Sequence, residues 1–449
     1  MTNEKVKTKK ILLLGAGLVT RPLVGYLLNI PEFSLTIASR TESKARELIG
    51  DSPNGIAEQF DIEKNPDGLS ALVERHDLII SLLPAMHHPT VARECIKHKK
   101  LMVTTSYVSP AMEELDSQAK EAGILILNEI GLDPGIDHMS AMRIINTVES
   151  DGGKVRSFRS YCGGLPAPEA NTNPFGYKFS WSPRGVLLAA RNSAKYLEDG
   201  KIVEIPGEDL FDFFHELKIE ELEKPFEAYA NRDSIPYIDI YGLNDAHTMY
   251  RGTLRNIGHC VTWKKIADMG FLSIDEMPNT EGMTYRGLLA HLTGISNDPN
   301  LESALTEKYH LPENPPVLEK MKWLGLFEEK PLPGNVNTPL DYLVALALEK
   351  LQYEPGERDM VVLHHVFIVE YPDRKEKITS TLVDFGIPNG DSSMARTVGL
   401  PAAVATKLIL QGRIDLTGVH VPVVPEIYNP VLDELEELGI ECVERYMPA

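Results

Sequence analysis

Ile11-Leu12-Leu13-Leu14 is a short continuous apolar run, as expected of a strand buried on both faces of a parallel sheet. Gly15-Ala16-Gly17-Leu18-Val19-Thr20 follows at once, and Val19 to Asn29 reads as a helix. The alternation then continues. Leu35 to Thr41 and Asp77 to Leu83 read as strands, the second ending at Pro84. Pro89 to Lys97 predicts a helix, Leu101 to Ser106 a strand, Pro110 to Ala122 a helix and Ile124 to Leu127 a strand. Repeated strand–helix units of this kind predict a doubly wound parallel sheet, an α/β fold.

Beyond this region the pattern changes. Met139 to Val148 is helical, whereas Tyr161 to Glu169 shows neither a helical nor a strand period and is expected to form a loop shaped for a ligand. Residues 261–349 carry helical periods with few strand-like runs. Met360 to Glu370 and Lys377 to Phe385 predict two strands, and Met394 to Gln411 a further helix.

At 449 residues the chain exceeds one ordinary core, so two or three domains are expected. A formal net charge of −20 excludes nucleic acid as a partner, because phosphates require basic surface. It also means that an anionic ligand needs the few cations gathered locally. Cys95, Cys162, Cys260 and Cys442 are far apart and form no CxxC pair, so neither a disulfide framework nor a structural metal site is expected. No stretch approaches the ~20 apolar residues of a membrane span, and the first residues lack a signal-peptide core. A cytoplasmic protein without membrane partners is the expectation.

Strand, glycine turn and helix in that order form a dinucleotide fingerprint. Gly15 makes the turn, Gly17 lets the backbone approach a pyrophosphate, and the helix start offers N–H groups and a positive dipole. Thr20 occupies the third glycine position, a departure expected to move helix and strand slightly apart. Arg40 stands 20 residues after Thr20, where the ribose-reading residue belongs. An acid there would accept from the 2′-hydroxyl of NAD; Arg40, with Ser39 and Thr41, instead offers donors to a 2′-phosphate and favours NADP. Ligands of such sheets sit beyond the carboxyl ends of the strands, which nominates Asp61, Leu83-Pro84, Thr105-Ser106-Tyr107 and Asn128 through Asp133. His87 and His88 read as helix-start residues, not as acid–base groups.

Five strings carry a resemblance: Gly131 to His138 (GLDPGIDH), Ser160 to Glu169 (SYCGGLPAPE), Tyr177 to Ser182 (YKFSWS), Asn231 to Ser234 (NRDS) and Arg251 to Arg255 (RGTLR). Together they closely resemble the glutamate-forming saccharopine dehydrogenase family. The match runs from Ile11 into the C-terminal region, where Glu357 to Val362 and Ser393 to Gly399 are landmarks, and is weakest between about Gly270 and Gly334. The resemblance implies three domains: a Rossmann dinucleotide-binding domain over 1–135 completed by 395–449, a mixed α/β substrate and dimerisation domain over 136–260 and 350–394, and a mostly helical insert over 261–349. It implies a homodimer.

It further implies that Gly15, Gly17, Leu18, Val19, Ser39, Arg40, Thr41, Asp61, Ile62, Thr105, Ser106, Leu132, Asp133 and Pro134 contact NADP. Ser106, Tyr107, Asp133, Arg232, Thr253, Leu254 and Arg255 are the implied substrate contacts. The implied reaction joins glutamate to aminoadipate semialdehyde as an imine that NADPH reduces to saccharopine. Arg232 and Arg255 suit carboxylates because the planar guanidinium pairs with them bidentately. Asp133 and Cys162 are the candidate proton donor and acceptor. Competing readings are the same reaction with NAD, as in animal-type members with an acid near Arg40, and a carboxynorspermidine dehydrogenase-like imine reductase. The latter would call for acidic anchors in place of the arginines. A non-catalytic NADPH sensor and a simple lysine dehydrogenase complete the alternatives.

Overall fold

The computed structural model describes residues 8–314 and 316–449. The chain divides into two compact units, the first running to Gly153 and resuming over Gly390–Val443, the second formed by Lys154–Asn389 with Glu444–Ala449. In chain order the strands are β1 (Lys9–Leu14), β2 (Phe33–Ser39), β3 (Gly55–Gln59), β4 (Leu78–Ser81), β5 (Leu101–Val103), β6 (Leu125–Leu127), β7 (Lys154–Pro166), β8 (Ala194–Glu198), β9 (Lys201–Ile205), β10 (Phe214–Leu217), β11 (Phe226–Ala230), β12 (Thr248–Asn256), β13 (Asp359–Glu370), β14 (Lys375–Phe385), β15 (Gly418–His420) and β16 (Val443–Pro448).

The first unit carries a seven-stranded sheet in the order β15-β6-β5-β4-β1-β2-β3, and every neighbouring pair is parallel. This is the doubly wound arrangement expected from the alternating pattern. The apolar run of β1 is fully buried, with Ile11, Leu12, Leu13 and Leu14 each at 0% exposure, because helices cover both faces of a parallel sheet. β15 comes from the far end of the chain and pairs with β6, so residues 390–443 complete the sheet. The stretch read as one helix over Pro110 to Ala122 is two shorter helices, Pro110–Glu113 and Asp116–Ala122.

The second unit holds a nine-stranded mixed sheet whose main path is β10-β11-β12-β7-β13-β14-β16, with β8 and β9 added beside β12. β7 and β12 run parallel; β7–β13, β13–β14 and β11–β12 are antiparallel. Five helices, His259–Asp268, Tyr285–Thr293, Leu301–Tyr309, Val317–Leu324 and Pro339–Lys350, follow β12. Their apolar faces share one hydrophobic cluster with the sheet, running from Leu165 and Leu254 to Leu289, Met321 and Leu343.

One expectation fails in this unit. Tyr161 to Pro166, expected as loop, lies inside the 13-residue strand β7 at the middle of the sheet. The Gly163-Gly164 pair and the prolines read as turn punctuation, but a glycine within a strand also marks a close approach of backbones. A Cβ at Gly163 would stand 2.7 Å from the Leu254 carbonyl oxygen and 2.8 Å from the Leu254 Cβ. The strand is permitted there only because the side chain is missing.

Gly163→Val is therefore expected to cost about 1–3 kcal/mol by overpacking. The urea midpoint of unfolding should fall with little change in its slope; an unchanged midpoint would show that β12 moves aside freely.

Candidate active site

Because all strands of the first unit are parallel, their carboxyl ends share one edge, and that edge gathers the expected cofactor residues. Gly15 follows β1, Ser39 to Thr41 close β2, Asp61 and Ile62 follow β3, Thr105 to Tyr107 follow β5, and Leu132 to Pro134 follow β6. Gly15 has φ +112°, and a Cβ there would meet the Leu82 carbonyl oxygen at 2.9 Å. Gly17 is exposed, and a Cβ there would meet nothing within 4 Å. A bare backbone facing open space ahead of the helix Arg21–Leu28 is the shape a diphosphate needs, so the residues present fit a dinucleotide. Thr20 is buried, and its hydroxyl donates to the Gly17 carbonyl at 2.7 Å, bracing the turn from within.

Arg40 is exposed at the end of β2, and among the described residues its side chain forms no ion pair. Ser39 Oγ beside it accepts from the Thr41 N–H at 3.3 Å. Asp61 is held near its own turn, accepting from the Glu63 N–H at 3.1 Å and standing 3.8 Å from Lys64 Nζ.

Asp133 and Tyr107 come together: the Tyr107 hydroxyl donates to Asp133 Oδ1 at 2.9 Å. The loop that carries Asp133 is fixed by Glu129, one of the strand-end residues nominated from the sequence, and by His138, to which no role is assigned from the sequence. Glu129 Oε2 lies 2.7 Å from His138 Nε2 with both side chains buried, and Glu129 Oε1 accepts from the Val108 N–H at 2.8 Å. Glu and His nine residues apart across a turn give no periodic signal, so only the folded loop reveals the pair.

His88 opens the helix His88–His98, as expected, but its ring does more than begin a helix. Nε2 lies 2.8 Å from Ser106 Oγ and 3.3 Å from Thr104 Oγ1, while Nδ1 lies 2.9 Å from Ser81 Oγ. Burial pushes this imidazole down to about 4, with His87 adding to the effect, so the neutral ring orients the Ser106 hydroxyl.

The remaining candidates lie in the second unit. Register places Cys162 of β7 beside Thr253 of β12, and Thr253 beside Tyr229 of β11, so these side chains share one face. Arg255, two residues on, shares that face, whereas the fully buried Leu254 side chain points to the other. Cys162 is buried. Arg232 is exposed at a positive φ of 57°, in a loop pinned by the Lys195 N–H to the Arg232 carbonyl (2.9 Å) and the Ser234 N–H to the Lys195 carbonyl (2.7 Å).

Arg255 is only 8% exposed, and among the described residues it has no carboxylate partner. Its Nη1 donates to the Leu254 carbonyl at 2.8 Å, and the guanidinium lies 5.1 Å from the centre of the Tyr177 ring. Glu227 stands opposite it in the ladder, but its two oxygens accept from the Gly258 and Cys260 N–H groups at 2.7 Å each. Arg255 lines a small pocket with Tyr177, Phe211, Tyr229, His259 and Trp263 among its walls. His259 and Trp263 were not singled out in the sequence, although Arg255, His259 and Trp263 recur every four residues. Among the described residues no group of three His, Cys, Asp or Glu side chains could hold a metal ion, and no helix is long and apolar enough to cross a membrane.

Comparison with known proteins adds the following. Residues 11–127 match the saccharopine dehydrogenase NADP binding domain and residues 131–440 the saccharopine dehydrogenase C-terminal domain. The chain is 43% identical to the saccharopine dehydrogenase [NADP(+), L-glutamate-forming] of Schizosaccharomyces pombe, over 97% of this chain and 98% of that one. It is 39% identical to the mitochondrial alpha-aminoadipic semialdehyde synthase of Bos taurus, over 96% of this chain and 47% of that longer one. The apo saccharopine dehydrogenase (L-Glu forming) of Saccharomyces cerevisiae superposes with a TM-score of 0.88 at 41% identity, covering 98% of this chain and all of that one.

The His88 ring generates a prediction. Its pKa is depressed in the folded state, so the unfolded chain takes up a proton first as pH falls. Its contribution is complete above pH ~6.5 and is lost between there and about 4. His88→Gln should flatten the stability profile in that window by up to about 1.4 kcal/mol per pH unit, measured by urea unfolding. Equal slopes in the two proteins would mean that His88 is protonated in the fold.

Proposed function

The chain belongs to the saccharopine dehydrogenase family, and we propose that it interconverts saccharopine with L-glutamate and 2-aminoadipate 6-semialdehyde, using NADP, within lysine metabolism. The observation that carries this reading is the buried Arg255 guanidinium, which has no carboxylate partner among the described residues. An unpaired buried cation is costly, and a substrate rich in carboxylates supplies the missing charge. A polyamine substrate would be repelled by the same group.

In the forming direction the glutamate amine adds to the aldehyde carbon, water leaves to give the imine, and reduction at that carbon with a proton to nitrogen yields saccharopine. Bound NADPH supplies the hydride. Gly15, Gly17, Leu18 and Val19 form the turn that takes the diphosphate, with Asp61, Ile62, Thr105, Ser106, Leu132 and Pro134 completing the cofactor contacts. Arg40, aided by Ser39 and Thr41, pairs with the 2′-phosphate.

Arg232 and Arg255 anchor substrate carboxylates, and Thr253, Leu254, Ser106 and Tyr107 line the substrate. Leu254 contributes through its backbone, because its side chain faces away from Arg255. Asp133, held by the Tyr107 hydroxyl, and Cys162 are the groups assigned to move protons during carbinolamine formation and dehydration. Positioning carries much of the rate, so loss of either one costs less than loss of the carboxylate anchors. The same reading makes the protein a cytoplasmic homodimer and treats 261–349 as a helical insert in the substrate-binding part.

The test is NADPH formation from saccharopine under mildly alkaline conditions, which favour release of the proton. Wild type should prefer NADP over NAD. Arg40→Asp should raise the KM for NADP by about 10–100-fold and move the preference toward NAD, as loss of a charge-assisted phosphate contact requires. Turnover that favours NAD in the wild type would sink the Arg40 assignment alone; no saccharopine-dependent turnover would sink the reaction.

A further inference from the structure

Between Gly15 and Leu28 the chain carries one cation, Arg21, and it stands where a helix disfavours positive charge. Arg21 is the first residue of the helix Arg21–Leu28, at the positive end of the helix dipole, with Pro22 after it and no acid in the first turn. The cap is missing as well. The Thr20 side chain accepts from no helix N–H, because its hydroxyl is turned to donate to the Gly17 carbonyl. Among the described residues, the N–H groups of Gly17, Leu18 and Val19 have no backbone acceptor either. Free donors, an uncapped helix start and a cation at its first position all lack the same thing, an anion.

The Arg21 side chain is already set for one. Its Nε faces Asp391 Oδ1 at 3.5 Å, an ion pair that makes no hydrogen bond, and Asp391 belongs to the same compact unit. Asp391 immediately precedes Ser392, the cap of the helix Ser393–Leu410, and Gly399 of that helix packs against the Val19 carbonyl. The segment that steadies Arg21 is thus continuous with the helix that supports the glycine turn. The carboxylate takes the inner nitrogen of the guanidinium. The two Nη groups have no partner among the described residues, and the side chain is 64% exposed. Helical side chains lean toward the N-terminus of their helix, which puts the free end of the fork on the side of the turn.

We propose that Arg21 is a further cofactor residue: its Nη groups pair with the diphosphate of NADP, and Asp391 positions the guanidinium through Nε. This rests on the placement of the diphosphate at the glycine turn. A planar guanidinium suits a phosphate because two parallel N–H groups meet two oxygens. The diphosphate is common to NADP and NAD, whereas Arg40 is assigned to a group that only NADP carries. The two arginines therefore divide the task. Arg21 strengthens binding of either dinucleotide, and Arg40 chooses between them. In a chain of net charge −20, this is the local gathering of cations that an anionic cofactor requires.

Fluorescence titration of the full chain with NADPH and with NADH tests it without turnover. Arg21→Gln should raise the Kd of both about three- to tenfold, as expected for loss of a charge-assisted contact at an exposed position, and leave their ratio within about twofold of wild type. Arg21→Lys, which keeps the charge and loses the fork, should fall between the two. Added salt should weaken NADPH binding more steeply in the wild type than in Arg21→Gln. Gly17→Val is the control. A Cβ there meets nothing within 4 Å, so the fold tolerates it, yet the side chain fills the space assigned to the diphosphate and should abolish binding of both dinucleotides.

A loss confined to NADPH would place Arg21 beside the 2′-phosphate and overturn the proposal. Wild-type affinity for both dinucleotides in Arg21→Gln, with Gly17→Val unable to bind, would overturn it and leave the diphosphate at the turn. Gly17→Val binding like wild type would instead remove the diphosphate from the turn, and the role of Arg21 with it.

Discussion

The structure of the second unit turns on a positive charge kept away from water. Arg255 projects from a central strand, is shielded by aromatic rings and is steadied by its own chain's carbonyl. The acid placed to neutralise it, Glu227, is committed to the start of the following helix. The groups around the guanidinium support its position, and among the described residues no carboxylate pairs with it. A buried cation without a counter-charge is unfavourable in the ligand-free protein, which is the reason Arg255 is proposed to meet a substrate carboxylate. The sheet, the helix His259–Asp268 and the aromatic walls together hold that state in place.

The first unit solves the opposite problem, offering an exposed arginine and exposed backbone at the edge of its sheet. Its parallel sheet delivers successive loops to one edge, so residues far apart in sequence become neighbours through topology alone. The loops are then fixed individually: Thr20 braces the glycine turn, His88 holds Ser106, and Glu129 with His138 holds the segment that carries Asp133. Bracing of this kind fixes the loops before any ligand binds.

Much of this was legible in the sequence wherever the signal was local. The strand–turn–helix that opens the chain depends on neighbouring residues, and the position of Arg40 at the end of β2 could be read because spacing along a βα unit is fixed by its geometry. Cys162, Thr253 and Arg255 were named from resemblance, but their shared face follows from strand register, which the sequence does not display. β7 was misread because glycine permits both a turn and a close backbone approach, and only the neighbouring strand decides between them. His259 and Trp263 look like the apolar face of an ordinary helix. What distinguishes them is a buried ring nitrogen without a hydrogen-bond partner among the described residues, and a missing partner is a property of the folded surroundings.

The crossed course of the chain has a consequence for biosynthesis. β6 lies next to the end of the first sheet, and its outer neighbour β15 begins only at Gly418, after nearly all of the second unit. On the ribosome, the nascent sheet presents an open edge throughout translation of that intervening segment. The helix Ser393–Leu410 arrives equally late, and its Gly399 packs so near the dinucleotide turn that a Cβ would lie 2.7 Å from the Val19 carbonyl oxygen. The glycine turn therefore gains this support only after the second unit has been made, so ribosome-bound chains can pair strands of the first sheet early but finish the packing around the turn late.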